Sequence, residues 1–172
     1  MKNNKNKGFS ILEVVVSVAI FAFILLLLMS IFFQFNFLNF KTKADREALE
    51  NARKVMDMIS YEAKGAKSIY TPTTNLNQLS LETTRYLPTG ETASFIDFFI
   101  CNTAVCLKKE FQAPVQLTSD NVIVRKMEFS NVISATGSSV KIDLTIDKKN
   151  PTSDQSQYSS INLTQTVSLR NN

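Results

Sequence analysis

The chain has 172 residues, 19 Lys and Arg against 15 Asp and Glu, and a formal net charge of +4, to which Lys2, Lys5 and Lys7 contribute most. That length fits one membrane segment plus one small domain. With the leader set aside, the charge is close to neutral, so no clustered basic face marks a nucleic-acid binder. The chain has no His and only two Cys, which rules out a zinc site and leaves no His general base.

The first element is a basic leader, Met1 to Gly8, with no acidic residue. Phe9-Ser10-Ile11-Leu12-Glu13 follows and opens into an apolar run. Glu13 is the only charge between Lys7 and Lys41. Val14 to Phe33 is uncharged and, at about 1.5 Å per residue, covers roughly 30 Å, the thickness of a bilayer's hydrocarbon core. Basic residues flank the cytoplasmic side of a span, so the leader is expected inside and the C-terminal part across the membrane. A conventional secretory signal has a shorter apolar core followed by a small-residue cleavage site. This run is too long and ends in Ile31-Phe32-Phe33-Gln34-Phe35. An ionisable group such as Glu13 at the start of a span is costly, and it is a functional-site hypothesis by default.

From Ala44 to Tyr70 the pattern is that of an amphipathic helix. Leu49, Ala52, Met56, Ile59, Ala63, Ala66 and Tyr70 recur at spacings of three and four. Charged residues from Asp45 to Glu62 fill the other faces. No Pro occurs before Pro72, and no Gly between Gly8 and Gly65. One continuous helix is expected from about Ser10 to Ser68, with two helices joined near 39–42 as the alternative.

Beyond Thr71-Pro72-Thr73-Thr74-Asn75 the pattern is that of strands. Leu79 and Leu81 alternate with polar neighbours. Phe95 to Cys101 and Val105 to Phe111 flank the turn Asn102-Thr103-Ala104 as a hairpin. Val122, Val124, Met127 and Phe129 form a strand with a register change near Arg125. Val140, Ile142, Leu144 and Ile146 alternate strictly, as do Ile161, Leu163, Val167 and Leu169. Loops are expected at 83–94, 134–139 and 147–160. A helix followed by an antiparallel sheet is the α+β class, with the helix stripe and the strands' inner faces as one core.

Lys7-Gly8-Phe9-Ser10-Ile11-Leu12-Glu13-Val14-Val15-Val16 resembles the N-terminus of type IV pilins and type II secretion pseudopilins. The long N-terminal helix leading into a small antiparallel sheet is similar to their architecture. The resemblance implies a pilin-like fold with a leader at 1–8, a transmembrane and filament-core helix at 9–40, an amphipathic helix at 41–70 and a sheet domain at 71–172. It implies cleavage between Gly8 and Phe9 by a prepilin peptidase, N-methylation of Phe9, and a filament-assembly role for Glu13 opposite a neighbour's new amine. The implied partners are the peptidase, other pilin or pseudopilin subunits, an assembly platform and the bacterial cytoplasmic membrane, crossed once with the N-terminus inside. No cofactor and no enzymatic activity are implied. Many major pilins carry a Gly or Pro in the apolar segment, and the stretch 22–30 has neither. That points to a minor component, and the strand order and C-terminal strand are similar to J-type pseudopilins and minor pilins.

Cys101 and Cys106 sit on the two arms of the expected hairpin. Facing positions in a non-hydrogen-bonded pair would suit a disulfide, while two buried free thiols are the alternative. Lys108-Lys109 and Arg125-Lys126 are expected as solvated strand positions, and Asp97, Asp120, Asp143 and Asp147 as scattered surface carboxylates with no diagnostic calcium spacing. No phosphate-binding Gly-rich loop is present. Glu13 could also belong to an uncleaved, membrane-anchored binding or sensor module. A DNA-uptake minor pilin is a third reading, against which the near-neutral charge argues. Nucleic acid is therefore not an expected partner, and no metal site is expected.

Overall fold

The computed structural model describes residues 10–85, 87, 89–134, 137–150 and 158–169. The leader, Gly8 and Phe9 lie outside the described residues. The chain divides into two compact units, Met1–Phe40 and Lys41–Asn172.

Helix α1 runs Ile11–Gly65, 55 residues, so the continuous-helix expectation holds. It ends at Gly65 and does not reach Ser68. Glycine is the poorest helix former after proline. Beyond it, the Lys67 N–H donates to the Glu82 carbonyl (2.7 Å), and Ser68–Ile69 becomes strand β1. Tyr70 therefore lies off the helix and sets its ring centroid 4.7 Å from that of Phe95, the planes tilted by 55°.

In the second unit the helix buries Ala44, Ala48, Ala52, Val55, Met56, Ile59 and Ala63. Four of these are alanines, whose small side chains are fully or almost fully covered. Two antiparallel sheets form, where the sequence suggested one. Strands β1 (Ser68–Ile69), β2 (Gln78–Thr83), β3 (Ser94–Cys101), β4 (Ala104–Lys109) and β5 (Val115–Gln116) pair in sequence order. Strands β6 (Val122–Ser134), β7 (Gly137–Lys148) and β8 (Ser160–Ser168) make the second sheet. The break follows from β5, which is only two residues long. The next strand touches the first sheet at its ends: Val124 N–H donates to the Thr103 carbonyl (2.8 Å) and Phe129 N–H to the Leu76 carbonyl (2.9 Å). The 134–139 segment is mostly strand, since Ser134 pairs with Gly137.

Both sheets feed one core. Leu79, Leu81, Ile96, Phe98 and Val105 from the first meet Met127, Phe129, Ile142, Leu144 and Ile146 from the second, with the helix stripe against them. The alternation is that of strands with one face buried. Polar ties fix the helix to this core. Lys148 Nζ meets Glu47 Oε2 at 2.7 Å, and Lys109 Nζ meets Glu62 Oε1 at 3.4 Å. Lys109 is thus bound to a buried carboxylate, contrary to its expected solvation. Burial opposes ionisation of Glu47, but hydrogen bonds from Lys148 and Asn121 outweigh it and hold the pKa below its ordinary value. A depressed carboxylate stabilises the fold above its unfolded pKa, and that contribution fades as pH falls through the folded value.

The register shift expected near Arg125 is a bulge between Val124 and Lys126. It turns the Arg125 guanidinium onto Asp147, Nε to Oδ2 at 2.7 Å. Asp147 is buried, not a surface carboxylate, because this pair and the strand end enclose it.

Phe98 is fully buried at the centre of the core. Phe98→Ala should cost about 3–5 kcal/mol through lost burial and the cavity left behind, read as a lowered urea midpoint in near-UV circular dichroism of the detergent-solubilised chain. A loss below about 1 kcal/mol would mean that the core does not centre on this ring.

Candidate functional site

The sequence directs attention to the start of α1. Ser10 precedes the first helical residue, and its carbonyl accepts from Glu13 N–H (3.0 Å) and Val14 N–H (3.3 Å). Ser10 and Glu13 stand in the Ser-x-x-Glu spacing of a capping box, a local signal that the charge pattern alone overlooks. Glu13 lies in the first helical turn, where the helix dipole favours an anion. Ser17 Oγ donates to the Glu13 carbonyl at 2.7 Å, which keeps that hydroxyl satisfied without water.

Around and beyond Glu13, the side chains of Ile11 to Phe40 are exposed on nearly every side, and they are mostly Val, Ile, Leu and Phe. A helix apolar all round has no solvated face, so it needs lipid or other apolar helices about it. Among the described residues α1 is long and apolar enough to cross a membrane. In such surroundings a carboxylate is held by a cation, by donors, or by taking up a proton.

Among the described residues no second constellation competes with this one. A polar cleft of about 580 Å³ opens beside Asn77, Gln78, Phe99, Arg125, Lys126 and Glu128. Its cations are already paired, Arg125 with Asp147 and Lys126 with Glu128 at 2.8 Å. Asp143 accepts from Thr164 and Lys141, which hold its pKa below the usual carboxylate range. Among the described residues no group of three or more His, Cys, Asp and Glu could hold a metal ion.

The structure joins Cys101 and Cys106 in a disulfide with a Cα–Cα separation of 5.8 Å. The two residues do not face each other as the hairpin reading supposed. Cys101 pairs with Ala104 and Cys106 with Phe99. The bond is diagonal, two positions off register on one face, because the connection has only two residues, Asn102 and Thr103. Asn102 takes φ 57°, the left-handed geometry that such tight hairpins need.

Residues 3–29 match the family described as the prokaryotic N-terminal methylation motif. No curated protein and no solved structure matches the chain.

Replacing both cysteines by serine should lower stability by about 2 kcal/mol, the loop-entropy value for so short a closed loop. The denatured, non-reduced wild-type chain should take up no maleimide. Labelling of two thiols per chain would contradict the bond.

Proposed function

We propose that this chain is a minor pilin or pseudopilin subunit, made as a precursor and assembled into a type IV pilus or a type II secretion-like filament. A methylation motif over 3–29, an apolar N-terminal helix and a C-terminal antiparallel sheet are the combination that type IV pilins and pseudopilins carry. That combination is the observation on which the reading rests. The motif and the fold describe a non-enzymatic structural subunit that is anchored in a membrane and processed by a peptidase.

The mechanism is assembly. The lysines of the leader hold the N-terminus in the cytoplasm. A prepilin peptidase cuts after Gly8, where a small residue lets the extended backbone lie close to the protease. Phe9 becomes the new N-terminus and is N-methylated. The helix is then drawn from the membrane into a bundle of like helices on an assembly platform. There Glu13 meets the amine of a neighbour's Phe9. Attraction between opposite charges is far stronger in an apolar medium than in water, which makes the pair a register device. Its net contribution is reduced by the cost of desolvating both groups. A mismatched stagger would leave each charge alone in an apolar medium, so the penalty for the wrong register exceeds the gain from the right one. The sheet domain then lies on the filament surface or at its tip.

Glu13→Ala tests this. Cleavage and membrane insertion should proceed as in the wild type, and recovery in sheared filaments should fall at least tenfold, measured by immunoblot against the membrane pool. Normal incorporation of the variant would remove Glu13 from the mechanism.

A further inference from the structure

Strand β8 borders the second sheet as an unguarded edge. Among the described residues it pairs with β7 alone, so every second residue turns its N–H and C=O to the open side. Sheet edges are ordinarily blunted by Lys, Pro, a bulge or brevity. The other edges follow that rule. Strands β1 and β5 have two residues each. Strand β6 carries the bulge and is tied to the Thr103 and Leu76 carbonyls. Strand β8 has nine residues, and Ser160-Ile161-Asn162-Leu163-Thr164-Gln165-Thr166-Val167-Ser168 contains neither a charge nor a proline. Its register with β7 is unbroken, from Ser160 against Asp147 to Ser168 against Ser139. A long, uncharged edge of this kind is a template for one more strand.

The residues of β8 specify the strand that fits. Alternation puts Ile161, Leu163, Gln165, Val167 and then Leu169 on one face, and Asn162, Thr164, Thr166 and Ser168 on the other. The first face turns to the core. Val167 and Leu169 are buried there, and Ile161 and Leu163 pack against it half-buried. Gln165 interrupts that apolar row and is exposed. About Gln165 the sequence is chemically symmetric. Ile161 corresponds to Leu169, Asn162 to Ser168, Leu163 to Val167 and Thr164 to Thr166. Two antiparallel copies that cross at Gln165 set aliphatic against aliphatic, and hydroxyl or amide against hydroxyl. Cross-strand pairs of these kinds stabilise a sheet, whereas like charges face to face would oppose it. On the axis two carboxamides meet, each with donors and an acceptor for the other. That meeting accounts for a polar residue in the core-facing row. The partner that matches every position is therefore β8 itself, run in the opposite direction.

We propose that β8 pairs antiparallel with β8 of a second copy of this chain, about a two-fold axis at Gln165. The two three-stranded sheets then become one, in the order β6-β7-β8-β8-β7-β6. The open N–H and C=O groups of each edge are satisfied by the other, and the added strand covers Ile161 and Leu163. The contact is isologous and closes at two, because each β8 is then used. It involves neither the leader nor Glu13, so it stands whether or not the N-terminus is processed.

The test is crosslinking of the full chain in detergent, where no shared bilayer fixes the orientation of the copies. The native cysteines are held in their own disulfide, so an added thiol is the one that reacts. A short bis-maleimide should join Gln165→Cys into a single adduct at twice the monomer mass, since facing Cβ atoms lie about 5 Å apart. Asn162→Cys alone should yield roughly tenfold less, because its counterpart lies six residues along the strand, about 20 Å away. Mixing Asn162→Cys with Ser168→Cys should restore the adduct, as these two positions face each other. No adduct from Gln165→Cys, a ladder of larger species, or equal yields from Gln165→Cys and Asn162→Cys alone would overturn the proposal. Charge tests the identity of the partner. Gln165→Lys and Gln165→Glu each put like charges on the axis and should lower the dimer fraction roughly tenfold in light scattering. Mixed, they should recover it through the opposite pair. Each should keep the wild-type melting temperature, because Gln165 is exposed. Dimer loss with a lowered melting temperature and no recovery on mixing would make Gln165 a folding residue, and the proposal would fail.

Discussion

Among the described residues, the apolar surface of the first thirty residues of α1 has no partner within its own compact unit. A soluble helix of this length is stabilised by burying one stripe and wetting the rest. Here the stripe exists only from Ala44 onwards, where two sheets cover it. Before that point every face of the helix demands an apolar medium. One continuous backbone therefore serves two environments. Lipid meets that demand in a membrane-anchored chain, and in the filament we propose neighbouring helices take the lipid's place.

That constraint gives Glu13 its meaning. A carboxylate in the first turn suits the helix dipole and the Ser10 cap spacing, and those local terms are worth little beside the cost of an apolar environment. Local helix chemistry explains why an acid is tolerated at this position. It does not explain why the sole charge between Lys7 and Lys41 belongs there. In the assembly we propose, a neighbour's amine at the same depth is what calls for it. Several charges of the sheet domain are already engaged, Lys109 with Glu62, Arg125 with Asp147 and Lys148 with Glu47.

Much of this was legible in the residues. The methylation motif, the absence of helix breakers through Ala63 and the strict alternation of 140–146 each express a single local rule, and each holds. What stayed hidden depended on partners distant in sequence. Gly65 stops the helix three residues early because Glu82 offers Lys67 N–H a strand bond. Lys109 is not solvated because Glu62 is buried beside it, and Asp147 is enclosed because the bulge aims Arg125 at it. The single expected sheet is two, since nothing in a run of alternating residues says where a ladder ends. The left-handed Phe111 is likewise invisible to pattern, which would extend β4 through it.

The central claim is that this chain is a precursor whose helix enters a filament from a new N-terminus. Its most direct test is the N-terminal mass of the protein purified from cells that contain a prepilin peptidase. The account predicts a chain that begins at N-methylated Phe9 and has lost residues 1–8. An intact Met1 to Gly8, in cells where a known prepilin is processed, would contradict it and leave the helix a simple anchor.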